Sequence, residues 1–139
     1  MKKKVLFICT HNSARSQMAE GLLRALYGDR YVAYSAGIQP SKVSPYAIKI
    51  MAEIGIDISN HHSKSINEFR DMKFDYVITV CDNAKETCPF FPCGKKYLHR
   101  GFNDPSEFKG KEDEIIVKFR CVRDEIKGWI EKMFGEEHD

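Results

Sequence analysis

Apolar residues in this chain alternate between short unbroken runs and a helical repeat. Val5-Leu6-Phe7-Ile8 is unbroken and predicts a buried strand from about Lys4 to Cys9. Beyond it, Met18, Leu22, Leu23 and Leu26 recur at a helical period. They predict a helix from Arg15 to Tyr27, ended by Gly28-Asp29 as glycine commonly ends helices. Tyr31 to Ala36 reads as a second strand. Ser44-Pro45 opens a second helix, with Ser as N-cap and Pro at the first helical position, running to about Ile54 and stopping at Gly55. Tyr76 to Val80 is β-rich and predicts a third strand over Phe74 to Cys81, and Lys96 to His99 a short fourth. Ile116, Phe119, Val122, Ile126, Trp129, Ile130 and Met133 mark a long terminal helix from Glu112 to about Phe134. No repeat, low-complexity stretch or linker interrupts the pattern. The expectation is a single α/β domain over residues 1–139, a four-stranded parallel sheet flanked by helices. Ligands in such folds bind beyond the carboxyl ends of strands, and Cys9 and Cys81 both fall there.

The first strand–helix junction carries chemistry. Cys9-Thr10-His11-Asn12-Ser13-Ala14-Arg15-Ser16 joins a strand end to a helix N-terminus. Backbone N–H groups converge at such a junction, and the helix dipole favours negative charge. Phosphate or arsenate fits that cradle, and Arg15 offers a planar fork to two of its oxygens. The same positive field favours Cys9 as thiolate, the attacking form. A cysteine at a strand end is most often a small buried hydrophobe; the junction and the arginine six positions on favour the oxyanion loop.

Bulk properties narrow the class. The 139 residues suffice for one domain with a real core. With 22 Lys plus Arg against 20 Asp plus Glu, the net charge of +2 is too balanced for a dedicated nucleic-acid binder. No apolar run approaches a membrane span. Met1-Lys2-Lys3-Lys4 resembles the start of a signal peptide, but the following apolar run is too short for a secretory core. The expectation is a cytoplasmic monomer. In that compartment five cysteines, an odd number, are catalytic, redox-active, metal-binding or buried rather than a disulfide framework.

Cys81 and Cys88 form a second constellation. Asp82 or Asn83 can cap a short helix between them, and Pro89 discourages its continuation. Cys9, Cys81 and Cys88 can then meet in a relay of thiol–disulfide exchanges. A fully helical 81–88 segment would hold the two cysteines about 10 Å apart along the axis. A disulfide needs Cα atoms within roughly 7 Å, so joining them would unwind the segment and act as a switch. Zinc binding by Cys81, Cys88 and Cys93 with a histidine is the alternative, though the spacing departs from the usual ligand knuckles. Cys93 and Cys121 read as ordinary small buried residues. Asp104, before Pro105, reads first as a turn or cap residue; near the oxyanion it would instead serve as acid or base.

The motifs CTHNSARSQMAE from Cys9, Tyr34-Ser35-Ala36-Gly37, Asp57-Ile58-Ser59-Asn60-His61, Cys81 with Cys88-Pro89, Asp104-Pro105 and Val122-Arg123-Asp124-Glu125-Ile126 resemble the thioredoxin-coupled arsenate reductases. Those enzymes share the low-molecular-weight protein tyrosine phosphatase fold, a Rossmann-like three-layer arrangement. The likeness spans nearly the whole chain. It implies that the loop from Thr10 to Ser16 and Arg15 hold arsenate, that Cys9 attacks it, and that Asp104 aids departure of an oxygen. Cys81 would then attack the adduct, releasing arsenite and leaving a Cys9–Cys81 disulfide, and Cys88 would pass this to a Cys81–Cys88 disulfide. Thioredoxin would reduce it; no bound cofactor or metal is implied. Asn12, Ser13 and Ser16 would shape the loop. His11 and Ala14 stand where some relatives carry Gly and Cys. In potassium-dependent relatives, residues matching Asn12, Glu20 and Ser35 with an acidic residue at position 64 surround a cation; here Lys64 can supply the charge and pair with Glu20. The loop alone also fits a phosphotyrosine or small phosphate-ester phosphatase, and the Cys81/Cys88 pair separates the two. A non-catalytic anion-binding or redox-sensing module needs no nucleophile beside the arginine.

Overall fold

The computed structural model describes residues 2–82 and 94–135. The predicted short helix after Asp82, with Cys88, Pro89 and Cys93, lies outside the described residues. Four strands, β1 (Lys3–Cys9), β2 (Tyr31–Gly37), β3 (Phe74–Thr79) and β4 (Gly94–His99), form one parallel sheet in the order β2-β1-β3-β4. The helices are α1 (Arg15–Tyr27), α2 (Pro45–Ala52) and α3 (Glu112–Phe134), with 3-10 turns at Ile66–Phe69 and Pro105–Glu107. This is the α/β class that the alternation predicts.

Successive β1 side chains point to opposite faces. Val5, Phe7 and Cys9 join the main core with Met18, Leu22, Ile50, Phe119 and Ile126 from the helices. Leu6 and Ile8 join a second core with Ala36, Phe69, Phe74 and Val77, where Tyr34, Phe69 and Phe74 meet edge to face. Both faces of β1 are therefore dry, which is why its run is unbroken. Among the described residues, no helix is long and apolar enough to cross a membrane.

Three expected boundaries shift by two residues. Strand β3 stops at Thr79 rather than Cys81, although Val80 N still donates to Ile8 O at 2.9 Å. Strand β4 begins at Gly94, two residues earlier than expected; its side chains are mostly exposed at the sheet edge, so its apolar pattern is weak. Helix α2 ends at Ala52 rather than Ile54, and Gly55, at φ +80°, makes the left-handed reversal beyond it. Gly28, by contrast, has φ −63° and ends α1 without a left-handed turn.

Candidate active site

The loop after β1 is held from outside by its carbonyls. Thr10 O accepts from Gln39 N (2.9 Å), His11 O from Ser41 N (3.3 Å) and Ser13 O from Ser44 N (3.0 Å). His11 O also accepts from Ser63 Oγ (2.8 Å), Asn12 O from Gln17 Nε2 (3.2 Å), and Ala14 O from Met18 N (2.8 Å). Five successive carbonyls are thus committed to the surrounding chain. With these carbonyls turned to the surrounding chain, the loop can turn N–H groups toward a ligand. Helix α1 adds its own: Ala14 at the N-cap makes no side-chain cap bond, and the first turn holds no acid. An uncapped helix N-terminus at a pocket suits an anion.

Two residues give the loop its shape. Asn12 has φ +50°, a left-handed conformation that Asn tolerates better than most residues. Its side chain donates to Ser16 Oγ (2.7 Å) and accepts from Gln17 Nε2 and from Lys64 N, both at 2.8 Å. Gly37, at the end of β2, lies directly beneath the loop. A Cβ there would stand 2.8 Å from both Asn12 N and Thr10 O.

Cys9 is buried, and its Sγ lies 2.8 Å from Ser16 Oγ. Ser16 accepts from Asn12, so its hydroxyl proton can serve the sulfur when the sulfur is charged. Arg15 is also buried; Nη1 donates to Phe102 O (3.2 Å), and Nη2 stands 3.5 Å from Asp104 Oδ2. Asp104 is the cap residue that its place before Pro105 suggests, and it also faces Arg15. Its Oδ1 accepts from Ser106 N (2.9 Å) as a cap, while Oδ2 turns to the arginine. Cys9, His11, Arg15, Ser41, Asp104 and Ser106 help line a pocket of about 160 Å³.

Because β1 and β3 are neighbours, Cys81 follows the strand beside the one that ends in Cys9. Cys81 is a buried, reduced thiol, its Sγ 3.8 Å from Ile8 O. Cys88 lies outside the described residues, so the pair is not seen together. Cys121 corrects an expectation: it is an exposed free thiol on α3, because it falls on the solvent side of the apolar stripe.

An ionic cluster stands behind the loop. Glu20 accepts from Ser35 Oγ and pairs with Arg24 Nη2 at 2.5 Å, while Lys64 Nζ is 3.8 Å away. Lys64 Nζ also donates to His62 O at 2.9 Å. The sequence reading missed Arg24, although its i,i+4 spacing from Glu20 is itself a signal. It also gave no role to Gln17 or His61. Gln17 donates to Asn12 O, Asn12 Oδ1 and His62 O, leaving its Oε1 to accept from His61 Nδ1 at 2.9 Å. His61 Nε2 therefore accepts from Arg24 Nη1 at 3.0 Å, the neutral tautomer. Partial burial lowers the pKa of His61 from its ordinary value, against the pull of Glu20 and with the help of Arg24 and Lys64. Among the described residues, no three His, Cys, Asp or Glu side chains cluster to hold a metal ion.

Comparison with known proteins adds a second line. Residues 4–138 match the family described as low molecular weight phosphotyrosine protein phosphatase. An arsenate reductase of Halalkalibacterium halodurans is 47% identical over 135 residues, covering 97% of this chain and 96% of its own. A solved arsenate reductase in the phosphate binding state superposes with a TM-score of 0.80 at 36% identity, covering 98% of each chain. A thioredoxin-dependent arsenate reductase of Corynebacterium glutamicum superposes with a TM-score of 0.64 at 32% identity, covering 94% of this chain and 63% of that one.

Proposed function

The chain belongs to the low molecular weight phosphotyrosine protein phosphatase family, and from that premise we propose that it is an arsenate reductase. The observation that carries the reading is the Cys9 sulfur, 2.8 Å from Ser16 Oγ, in a loop whose carbonyls are all committed elsewhere. Arsenate sits on the loop N–H groups and Arg15. Cys9 attacks arsenic, and an oxygen leaves as water with a proton from Asp104. Cys81 then attacks the Cys9 sulfur. The sulfur–arsenic electron pair goes to arsenic, arsenite departs, and a Cys9–Cys81 disulfide remains. Cys88 attacks Cys81, freeing Cys9, and thioredoxin reduces the resulting Cys81–Cys88 disulfide. The juxtaposed ends of β1 and β3 support the first exchange, and the C. glutamicum relative supports thioredoxin as reductant. In the cluster behind the loop, the Lys64 ammonium takes the place of a bound cation.

The test is arsenite production with thioredoxin, thioredoxin reductase and NADPH. Cys9→Ser abolishes it together with any phosphate-ester hydrolysis, because one thiolate starts both. Cys81→Ser and Cys88→Ser abolish arsenate turnover and spare the hydrolysis. Equal loss of both activities in Cys88→Ser sinks the relay. The second reading, a phosphatase, rests on the family and on Asp104 at 3.5 Å from Arg15, the place of a leaving-group acid. Ester hydrolysis without arsenite formation would favour it.

A further inference from the structure

We propose that the imidazole of His11, through Nε2, is a further oxyanion-binding group at the mouth of the pocket, acting beyond the loop backbone and Arg15. The proposal rests on reading that pocket as an oxyanion site. His11 lines it together with Cys9, Arg15 and Asp104, and its side chain is exposed rather than packed away. Its backbone is fixed: the carbonyl accepts from both Ser41 N and Ser63 Oγ. Its ring is fixed as well. Nδ1 lies 3.1 Å from Gln39 O, and a carbonyl can only accept, so Nδ1 carries a proton. Gln39 stands two residues before Ser41, which lines the same pocket, so the tether holds the ring along that wall. With Nδ1 committed, Nε2 is the one polar ring atom left for a ligand.

The neutral ring offers a lone pair there, which an oxyanion does not want. The protonated ring offers an N–H and a full charge, which it does. His11 therefore tightens oxyanion binding only when charged, and anion binding in turn favours the charged ring by linkage. Among the described residues, the charged or titratable groups that share its pocket are Cys9, Arg15 and Asp104. The wall segment carries Lys42 beside Ser41, and the Ser63 turn adds Lys64. A histidine at this loop position thus adds a protonatable side chain to substrate capture, where a glycine leaves it to the backbone and Arg15.

The experiment is calorimetric titration of the reduced protein with sulfate at pH 6 and pH 8. Sulfate is tetrahedral and remains a dianion throughout, so the probe itself does not titrate. His11→Asn keeps an amide N–H near the Nδ1 position for Gln39 O and removes Nε2. His11→Gln places a neutral N–H near the Nε2 position. The wild type should bind sulfate about tenfold more tightly than His11→Asn at pH 6, the worth of one charge-assisted hydrogen bond, and that ratio should shrink at pH 8. His11→Gln should show no such change in its ratio to His11→Asn. Matching affinities of wild type and His11→Asn at both pH values would overturn the proposal while leaving the oxyanion site standing. Failure of the wild type to bind sulfate at either pH would overturn the oxyanion reading as well. Arsenite production by the same proteins reports separately on the reductase reading.

Discussion

Gly37→Ala should disable the site while leaving the fold in place. The added Cβ would stand 2.8 Å from Asn12 N, 2.8 Å from Thr10 O and 3.0 Å from His11 C. All three are backbone atoms of the loop after β1, so no flexible side chain can swing aside. Ordinary contacts lie near 3.5 Å, so with the closest atoms at 2.8 Å the loop or the end of β2 must give by about 0.7 Å. The loop is bound through Gln39, Ser41 and Ser44 to the segment that follows Gly37, so it cannot lift freely. Overpacking of this kind costs about 1–3 kcal/mol. At this chain length each kcal/mol lowers the unfolding midpoint by about 3–4 °C. The larger effect falls on chemistry, because a misplacement approaching 1 Å costs about 10- to 100-fold in turnover. Gly128→Ala is the control: nothing lies within 4 Å of its Cβ position, and it sits inside α3. That change should stabilise by about 0.5–1 kcal/mol and leave activity alone. The assay pairs arsenite production with thermal unfolding of both variants. Wild-type turnover in Gly37→Ala would refute the packing argument.

Three further outcomes follow from the charged groups. If the Lys64 ammonium replaces a cation beside Glu20, activity should match in sodium and potassium salts, and Lys64→Asp should create potassium stimulation; strong potassium activation of the wild type would contradict this. The Arg120 guanidinium, hydrogen-bonded to Glu53 and joined by Arg123, holds the Glu53 carboxyl down from 4.5 to about 2. Its contribution to stability is therefore full above pH 4.5 and fades as pH falls toward about 2, so Glu53→Gln should flatten the acid-unfolding curve across that window. His61 has its pKa lowered by burial, so the folded state resists its protonation; stability should fall as pH drops below its ordinary value of 6.5, and His61→Gln should remove that slope in chemical denaturation.

Burial explains which features the sequence disclosed. Strand β1 and helix α1 were legible because Val5 to Ile8 and Met18, Leu22 and Leu23 are fully buried, and burial is what hydrophobic periodicity records. The start of β4 was not, since Lys95 and Lys96 face solvent at a sheet edge where backbone pairing alone defines the strand. Cys9, Arg15 and the start of α1 fall within eight consecutive residues, a local pattern that a one-dimensional reading can hold. Their support is not local. Asn12 is fixed by Gln17, five residues on, and by Lys64, 52 residues on; Gln17 is fixed by His61, 44 residues on. Gln17 and His61 look like ordinary surface in the sequence, and only the fold turns them inward. Gly37 joins the two cases. Its place in the Ser35-Ala36-Gly37 run reads as the end of a strand, yet its missing side chain is what lets the loop rest on the sheet. The loop after β1 is therefore written in one stretch of sequence, while its rigidity is distributed over β2, the 61–64 turn and α1.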